Sequence, residues 1–409
     1  MSSFNSFEKY RYFNRDSFFS FWQNSVFGED DFTKLEGTKK RSEGDKMRDR
    51  IKNLWLSFNE DRDEFRKKYS GTKKFIKAYI SSFYLPNIQR IFSILTQKQN
   101  LNALTASFKS SGDAFTVLDF GAGPMSASVA LFAALDYAGI DLTSKKIHLQ
   151  TVERSSQMID SGLELFKAGF PSVPEIKHEK FTSPLKVTEK CDLIVCANVF
   201  NEIPEKHRLS NLETLLSLSK GCLLITEPGQ DVHSKALSSL RNSIIEKNVF
   251  PVNIISPCTH SGLCPLSSDS ERTDWCWFST PWRVPESAAF VDRITGLDHR
   301  QLNFSYMFIK TVGSLSAGKA YRIVSDIIHP VKRNNRSRFE NWMRNNIVEG
   351  NGKCLNGVRD NAVAKVLLCG PDGKLSSIVG SGEFLSGLKR GGLISSIPQN
   401  LCRCRERQL

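Results

Sequence analysis

The chain has 409 residues, room for two or three domains, and its 40% hydrophobic and 24% charged residues exclude a wholly disordered or collagen-like polymer. Lys and Arg total 56 against 43 Asp and Glu, and the resulting net charge of +13 points to a polyanionic partner, most often nucleic acid.

The opening Met1–Glu8 has no basic segment followed by an apolar one, and Glu8 and Asp16 argue against a transit peptide. No apolar run approaches the roughly 18 residues of a membrane span. The expectation is a cytoplasmic monomer with no membrane partner, mitochondrial if eukaryotic. In a reducing compartment its 10 cysteines are thiols or metal ligands.

Residues 1–112 read as a basic helical domain. Phe18, Trp22 and Val26 recur at helical spacing, and a second stretch, 46–69, carries Ile51, Leu54, Trp55, Phe58 and Phe65. A third, Phe75–Leu95, is broken near Pro86. Arg48, Arg50, Lys52, Arg66, Lys67, Lys68, Lys73, Lys74 and Lys77 make either a phosphate-contacting arm or a solvated helix face. The polar, Ser-rich 100–113 reads as a linker.

Residues 113–256 alternate strand and helix. Strands are expected at 115–120, 147–153, 175–181, 191–198 and 221–229, with helices between them. This alternation implies an α/β, Rossmann-like fold: a parallel sheet covered on both faces. Residues 257–313 form a cysteine-rich, metal-binding insertion plus a last core strand at 303–310. Residues 314–409 form a basic, strand-rich C-terminal region. It has strand-like pieces at 321–328 and 362–369, the basic run Lys332, Arg333, Arg336, Arg338, and a turn at Gly370-Pro371-Asp372-Gly373.

Asp119-Phe120-Gly121-Ala122-Gly123 joins the first strand to its helix, where glycines let backbone N–H groups approach a ligand. Glu153 closes the second strand, where a carboxylate can accept both hydroxyls of a ribose. The interval of about thirty residues exceeds the roughly 20 of a dinucleotide fold. It fits the S-adenosylmethionine-dependent methyltransferase fold, and a third loop glycine is missing. Asn198, Asn201 and Glu202 follow the fourth strand and could line the pocket or cap the next helix. No Asn-Pro-Pro-Tyr element is present, so no catalytic residue is assigned and the chain is an enzyme only if methyl transfer occurs.

Cys258, Cys264 and Cys276 are spaced x5 and x11, unlike the paired Cys-x2-Cys of a zinc ribbon. An iron–sulfur cubane needs a fourth thiolate. Cys369 before the Gly-Pro-Asp-Gly turn is the best candidate, Cys354, Cys402 and Cys404 are weaker ones, and His260 as a ligand would favour zinc.

Leu118–Pro124, Glu227-Pro228-Gly229, Arg241 and Pro257-Cys258…His260…Cys264-Pro265…Trp275-Cys276…Phe278 together carry a resemblance. With Phe304-Ser305-Tyr306 and Val366–Gly373, they resemble the methyltransferase-like small-ribosomal-subunit assembly family of mitochondria and bacteria, over roughly residues 70–385. The resemblance implies a factor that matures the small ribosomal subunit by binding its rRNA, with S-adenosylmethionine beside Asp119, Gly121, Gly123 and Glu153; Asn198, from the residues themselves, is placed with them as a cofactor-binding candidate. It also implies a 4Fe-4S cluster on Cys258, Cys264, Cys276 and Cys369. Met125 stands where the family usually has glycine, and Trp277 where a histidine is common. The alternatives are a non-catalytic RNA-binding assembly factor and a zinc-stabilised methyltransferase with another substrate.

Overall fold

The computed structural model describes residues 10–27, 45–54, 72–173, 176–181, 183–250, 252–267, 274–311, 320–328, 336–350, 363–396 and 401–406. Trp55, Phe58, Phe65, Arg66, Lys67, Lys68, Lys332, Arg333 and Cys354 lie outside them. The chain falls into two compact units. The first holds Met1–Glu202, Ser210–Thr226 and Thr280–Leu302; the second holds Ile203–Leu209, Glu227–Ser279 and Asn303–Leu409.

In the first unit the helix Arg15–Phe27 buries Phe18, Trp22 and Val26, the stripe that the spacing predicts. Each such side chain contributes about 1.5–3 kcal/mol. The segment before it is fastened by Asp136, whose buried carboxylate accepts the backbone N–H groups of Arg11 (3.0 Å), Tyr12 (2.8 Å) and Phe13 (2.8 Å). Residues 45–54 are helical, with Ile51 and Leu54 buried.

The break expected near Pro86 is a π turn, Ile80–Tyr84, between the helices Lys73–Tyr79 and Leu85–Leu95. Proline supplies no N–H and its ring crowds the preceding turn, so the ladder widens just ahead of it. Trp22 Nε1 donates to the carbonyl of Ile80 at the start of that turn (3.1 Å). The expected linker at 100–113 is instead mostly the helix Lys98–Ser110. Its polar composition hides one apolar pair at i and i+4, Leu104 and Phe108, and that pair is buried.

The central sheet is laid down in chain order as β1 Ala114–Phe120, β2 Lys146–Val152, β3 Ile176–Phe181, β4 Cys191–Ala197, β5 Ser219–Pro228, β6 Asn253–Ser256, β7 Phe278–Pro281 and β8 Gln301–Lys310. Its order is β3-β2-β1-β4-β5-β8-β6, with β7 off this path beside β8. The pairs β1–β2, β1–β4, β2–β3 and β4–β5 are parallel, with Val117 opposite both Leu149 and Leu193. The pair β6–β8 is antiparallel. β1 and β4 are buried almost along their whole length, as strands covered on both faces must be. The helix Ser126–Tyr137 is buried on all sides, which its run of Ala, Val, Leu and Phe permits.

The second unit carries a six-stranded sheet of order β10-β14-β12-β11-β9-β13. Its strands are β9 Tyr321–Ile323, β10 Ile347–Glu349, β11 Val363–Cys369, β12 Leu375–Ser381, β13 Leu393–Ile394 and β14 Cys402–Arg405. All its pairings are antiparallel. β11 and β12 form a hairpin through the expected turn, where Gly373 takes φ 73° and its N–H donates to Gly370 O. The strand expected over 321–328 is shorter, β9 plus a single bridge from Ile328 to Lys365. Polar 340–360 begins as the end of a helix, Arg336–Asn346, and continues as β10.

Candidate functional site

In open α/β sheets, ligands bind beyond the carboxyl ends of the strands where the strand order reverses. Here that point lies between β1 and β4, flanked by the loops at 121–125 and 198–202. Gly121 has φ 69°, and a Cβ on it would come within 2.3 Å of Val199 Cγ2, so both its backbone conformation and its surroundings require glycine. Gly123 also has positive φ, and a Cβ there would meet nothing within 4 Å, so its face of the loop is open. Met125 occupies the left-handed region at φ 62° while its side chain is fully buried. A glycine would take this backbone conformation without strain; here burial of the methionine offsets it.

Asp119, 1% exposed, turns to the following helix: its Oδ2 accepts from Ser128 N (3.2 Å) and Ser128 Oγ (2.6 Å). Burial pushes its carboxyl up to about 6 against these bonds, and the charge of Glu153 adds to the rise. Glu153 closes the end of β2 onto the glycine loop. Its Oε2 accepts from Gly123 N (3.0 Å), and its Oε1 from the N–H groups of Arg154 (2.8 Å) and Ser155 (3.0 Å).

Asn198 also takes positive φ, 57°, and its N–H donates to Thr226 O. Its Nδ2 reaches Asn87 Oδ1 (3.3 Å), which also accepts from Arg90 Nη1 (2.7 Å). Asn87 Nδ2 in turn lies 3.5 Å from Tyr79 Oη. Burial, then the charges of Glu202 and Glu153, raise the Tyr79 phenol. The fold therefore gathers Asp119, Gly121, Gly123, Glu153 and Asn198 at one crevice. It adds Tyr79, Asn87 and Arg90, which no motif marks. Asn87 and Arg90 lie at i and i+3 of the helix Leu85–Leu95, whose other polar residues, Gln89 and Ser93, leave them with no distinguishing sequence signal.

In the second unit, Cys264 and Cys369 share an apolar cluster with Leu266, Val324, Leu367 and Leu375, and Cys276 packs against it. Burial pushes the Cys276 thiol well up, followed by the nearness of Cys258 and Cys264. Cys369 is raised in the same way, by burial and then by Cys258, Cys264 and Cys276. Cys258 is also raised by burial, with Arg241 opposing. All four thiols thus lie within electrostatic reach of one another. Among the described residues, however, no three His, Cys, Asp or Glu side chains form a closed metal-holding group. Cys402 and Cys404 pack in a separate cluster with Met343, Val363 and Val379, so these two candidates do not join the set.

The loop is fixed by backbone contacts: Cys264 N donates to Asn242 Oδ1 (2.8 Å), and Thr259 Oγ1 donates to Cys369 O (3.4 Å). His260 Nε2 lies 3.3 Å from Cys369 Sγ, and burial, aided by Arg241, brings its pKa down to about 4, leaving it neutral. Two buried arginines border the thiols. Arg241 donates to His260 O (3.2 Å), and Arg322 to Pro257 O (2.8 Å) and Gly391 O (2.6 Å). Among the described residues neither guanidinium has a carboxylate partner.

A parallel run β3-β2-β1-β4-β5 completed by the antiparallel pair β8 and β6, with a glycine loop after β1 and an acid ending β2, defines the S-adenosylmethionine-dependent methyltransferase class of Rossmann-like fold. The model of the family described as "Mitochondrial small ribosomal subunit Rsm22" matches residues 91–336, and the chain belongs to that family. No curated protein matches it. Among solved structures, it is similar to the magnesium protoporphyrin IX methyltransferase of Synechocystis with bound S-adenosylmethionine, at 16% identity and a TM-score of 0.31, covering 51% of this chain and 91% of that one. The precorrin-6y C5,15-methyltransferase of Geobacter metallireducens gives 13% identity and 0.30, over 53% and 90%. The ribosomal protein L11 methylase of Lactobacillus delbrueckii gives 13% and 0.27, over 53% and 81%. These scores are low, and the fold assignment rests on the strand order. Among the described residues no helix is long and apolar enough to cross a membrane.

Proposed function

We propose that the chain is an assembly factor of the mitochondrial small ribosomal subunit that binds S-adenosylmethionine in its first unit, carries a 4Fe-4S cluster in its second, and engages rRNA through its basic surface. The crevice between β1 and β4 is the observation that carries the cofactor reading: an open Gly123 face beside Glu153 and Asn198. In it, Glu153 would take the ribose hydroxyls, and the loop Gly121–Gly123 would let the ligand approach the backbone. Bound there, the cofactor supplies an electrophilic methyl group on a sulfonium. The chain's own part is to orient that group and exclude water. Methyl transfer to rRNA is a second reading, favoured by Asn201 and Glu202 on the same loop, where a polar group could position a proton.

The cluster reading rests on the donor set. Four neighbouring thiols beside two buried guanidinium groups with no carboxylate partner among the described residues suit a centre whose four thiolates give it net negative charge. Cys258, Cys264, Cys276 and Cys369 would hold it and so fasten the 257–276 segment to β11. Support for the ribosomal role comes from the family and from the net charge of +13.

The test is ultraviolet crosslinking of the tagged chain to rRNA in small-subunit precursors, with labelled S-adenosylmethionine present. Small-subunit rRNA is expected in the crosslinked fraction, and its absence there would sink the ribosomal role. Label appearing in the rRNA supports the methyltransferase reading. Crosslinking without label leaves a non-catalytic factor.

A further inference from the structure

We propose that Arg90, aligned with the amides of Asn87 and Asn198, is the subsite for the carboxylate at the amino-acid end of the bound sulfonium cofactor. This rests on the cofactor reading above. Arg90 precedes the segment that the family model spans, 91–336, so the subsite is contributed in part by the helical arm.

The starting observation is a cation without a counter-ion. Arg90 donates through Nη1 to Asn87 Oδ1 at 2.7 Å, while its Nε is shielded from solvent and has no hydrogen-bond partner. No described carboxylate pairs with it. Burial lowers its pKa only to about 10, so it stays charged at neutral pH. A guanidinium whose Nε is shielded and unpaired is unfavourable, and an anionic ligand would relieve it.

Position says which site that ligand occupies. Asn87 Oδ1 accepts from both Arg90 and Asn198 Nδ2, so a single carbonyl holds the guanidinium beside the amide that follows β4. That is one wall of the crevice, and the open Gly123 face lies on the loop after β1.

Charge says what kind of anion. The Tyr79 phenol, 3.5 Å from Asn87 Nδ2, is raised by the charges of both Glu202 and Glu153. A phosphate group, carrying close to two charges, would be repelled by these acids. A zwitterionic α-amino acid on a sulfonium presents one carboxylate to Arg90 and two positive centres to the acids. The arrangement of one arginine with several carboxylates matches that net-positive ligand.

The test is calorimetric titration of the full chain with S-adenosylhomocysteine and with 5′-methylthioadenosine, which keeps the adenosine and sulfur but lacks the amino-acid end. The wild type is expected to bind S-adenosylhomocysteine more tightly by about tenfold or more, the worth of a charge-assisted pair. Arg90→Gln is expected to weaken S-adenosylhomocysteine by about 10–100-fold and 5′-methylthioadenosine by less than about twofold. Asn198→Asp, which sets a carboxylate against the ligand's own, is expected to show the same split should Arg90→Gln fold poorly. Equal loss of both ligands, or loss of neither, overturns the proposal. So does unchanged S-adenosylhomocysteine binding with weakened binding of a short RNA, which would make Arg90 a phosphate contact. If the wild type binds neither nucleoside, the cofactor reading itself fails.

Discussion

The crevice of the first unit and the thiol set of the second both place an arginine with no described carboxylate partner beside candidate ligand groups, yet they differ in what holds them in shape. Arg90 Nε apart, the groups that shape the crevice are already hydrogen-bonded. Glu153 accepts three backbone N–H groups, Asp119 is bonded to Ser128, and Asn198 is tied to Asn87 and Thr226. The four thiols, by contrast, lie near one another but, among the described residues, form no closed group. The first region is preorganised by the sheet, whereas the second, on the cluster proposal, would be held together by its ligand.

Substitutions should break that contrast in a definite order. Cys369→Ser is expected to have the largest effect, loss of bound metal and destabilisation of the second unit by several kcal/mol, since metal binding there is folding energy. Metal analysis with thermal unfolding checks this, and full metal retention would contradict it. Asp136→Ala removes the acceptor of three buried backbone N–H groups and should cost the first unit about 3 kcal/mol, read by urea unfolding.

A third expectation concerns pH. The Asp119 carboxyl is raised to about 6 from an ordinary 3.8, so the folded first unit binds its proton more tightly than the unfolded chain does. Stability should therefore fall as pH rises from about 4 to 6, by roughly 3 kcal/mol. Asp119→Asn should flatten that slope, and an unchanged slope would assign it to other groups. Met125→Gly should be the smallest effect. It relieves about 1–2 kcal/mol of left-handed strain but empties a fully buried site worth about 2–5 kcal/mol, so a net loss of about 0–3 kcal/mol is expected when the larger strain is relieved. A more stable glycine variant would show that strain outweighs packing there.

Much of this contrast is legible in the sequence, for physical reasons. Strands such as Leu193–Cys196, an unbroken apolar run, and Phe115–Phe120, apolar but for Thr116 and Asp119, are covered on both faces, which makes the parallel sheet visible. The glycine loop and Glu153 are visible because close backbone approach demands particular residue types. The helix Lys98–Ser110 was hidden by its polar surface, with only Leu104 and Phe108 to betray it. Arg90 and Asn87 carry no motif, because their role comes from where the helix is placed. The separation of Cys402 and Cys404 from the other thiols depends on the order of strands in the six-stranded sheet, which spacing along the chain does not encode.

The most direct measurement is hydrogen exchange on anaerobically purified protein before and after iron is removed with a chelator. The purified protein should contain iron and sulfide in equal amounts. Its loss should strip protection from amides at 257–267 and in β11 and β12 while leaving β1, β2 and β4 unchanged. Iron-free protein whose second unit is as protected as its first would contradict the account.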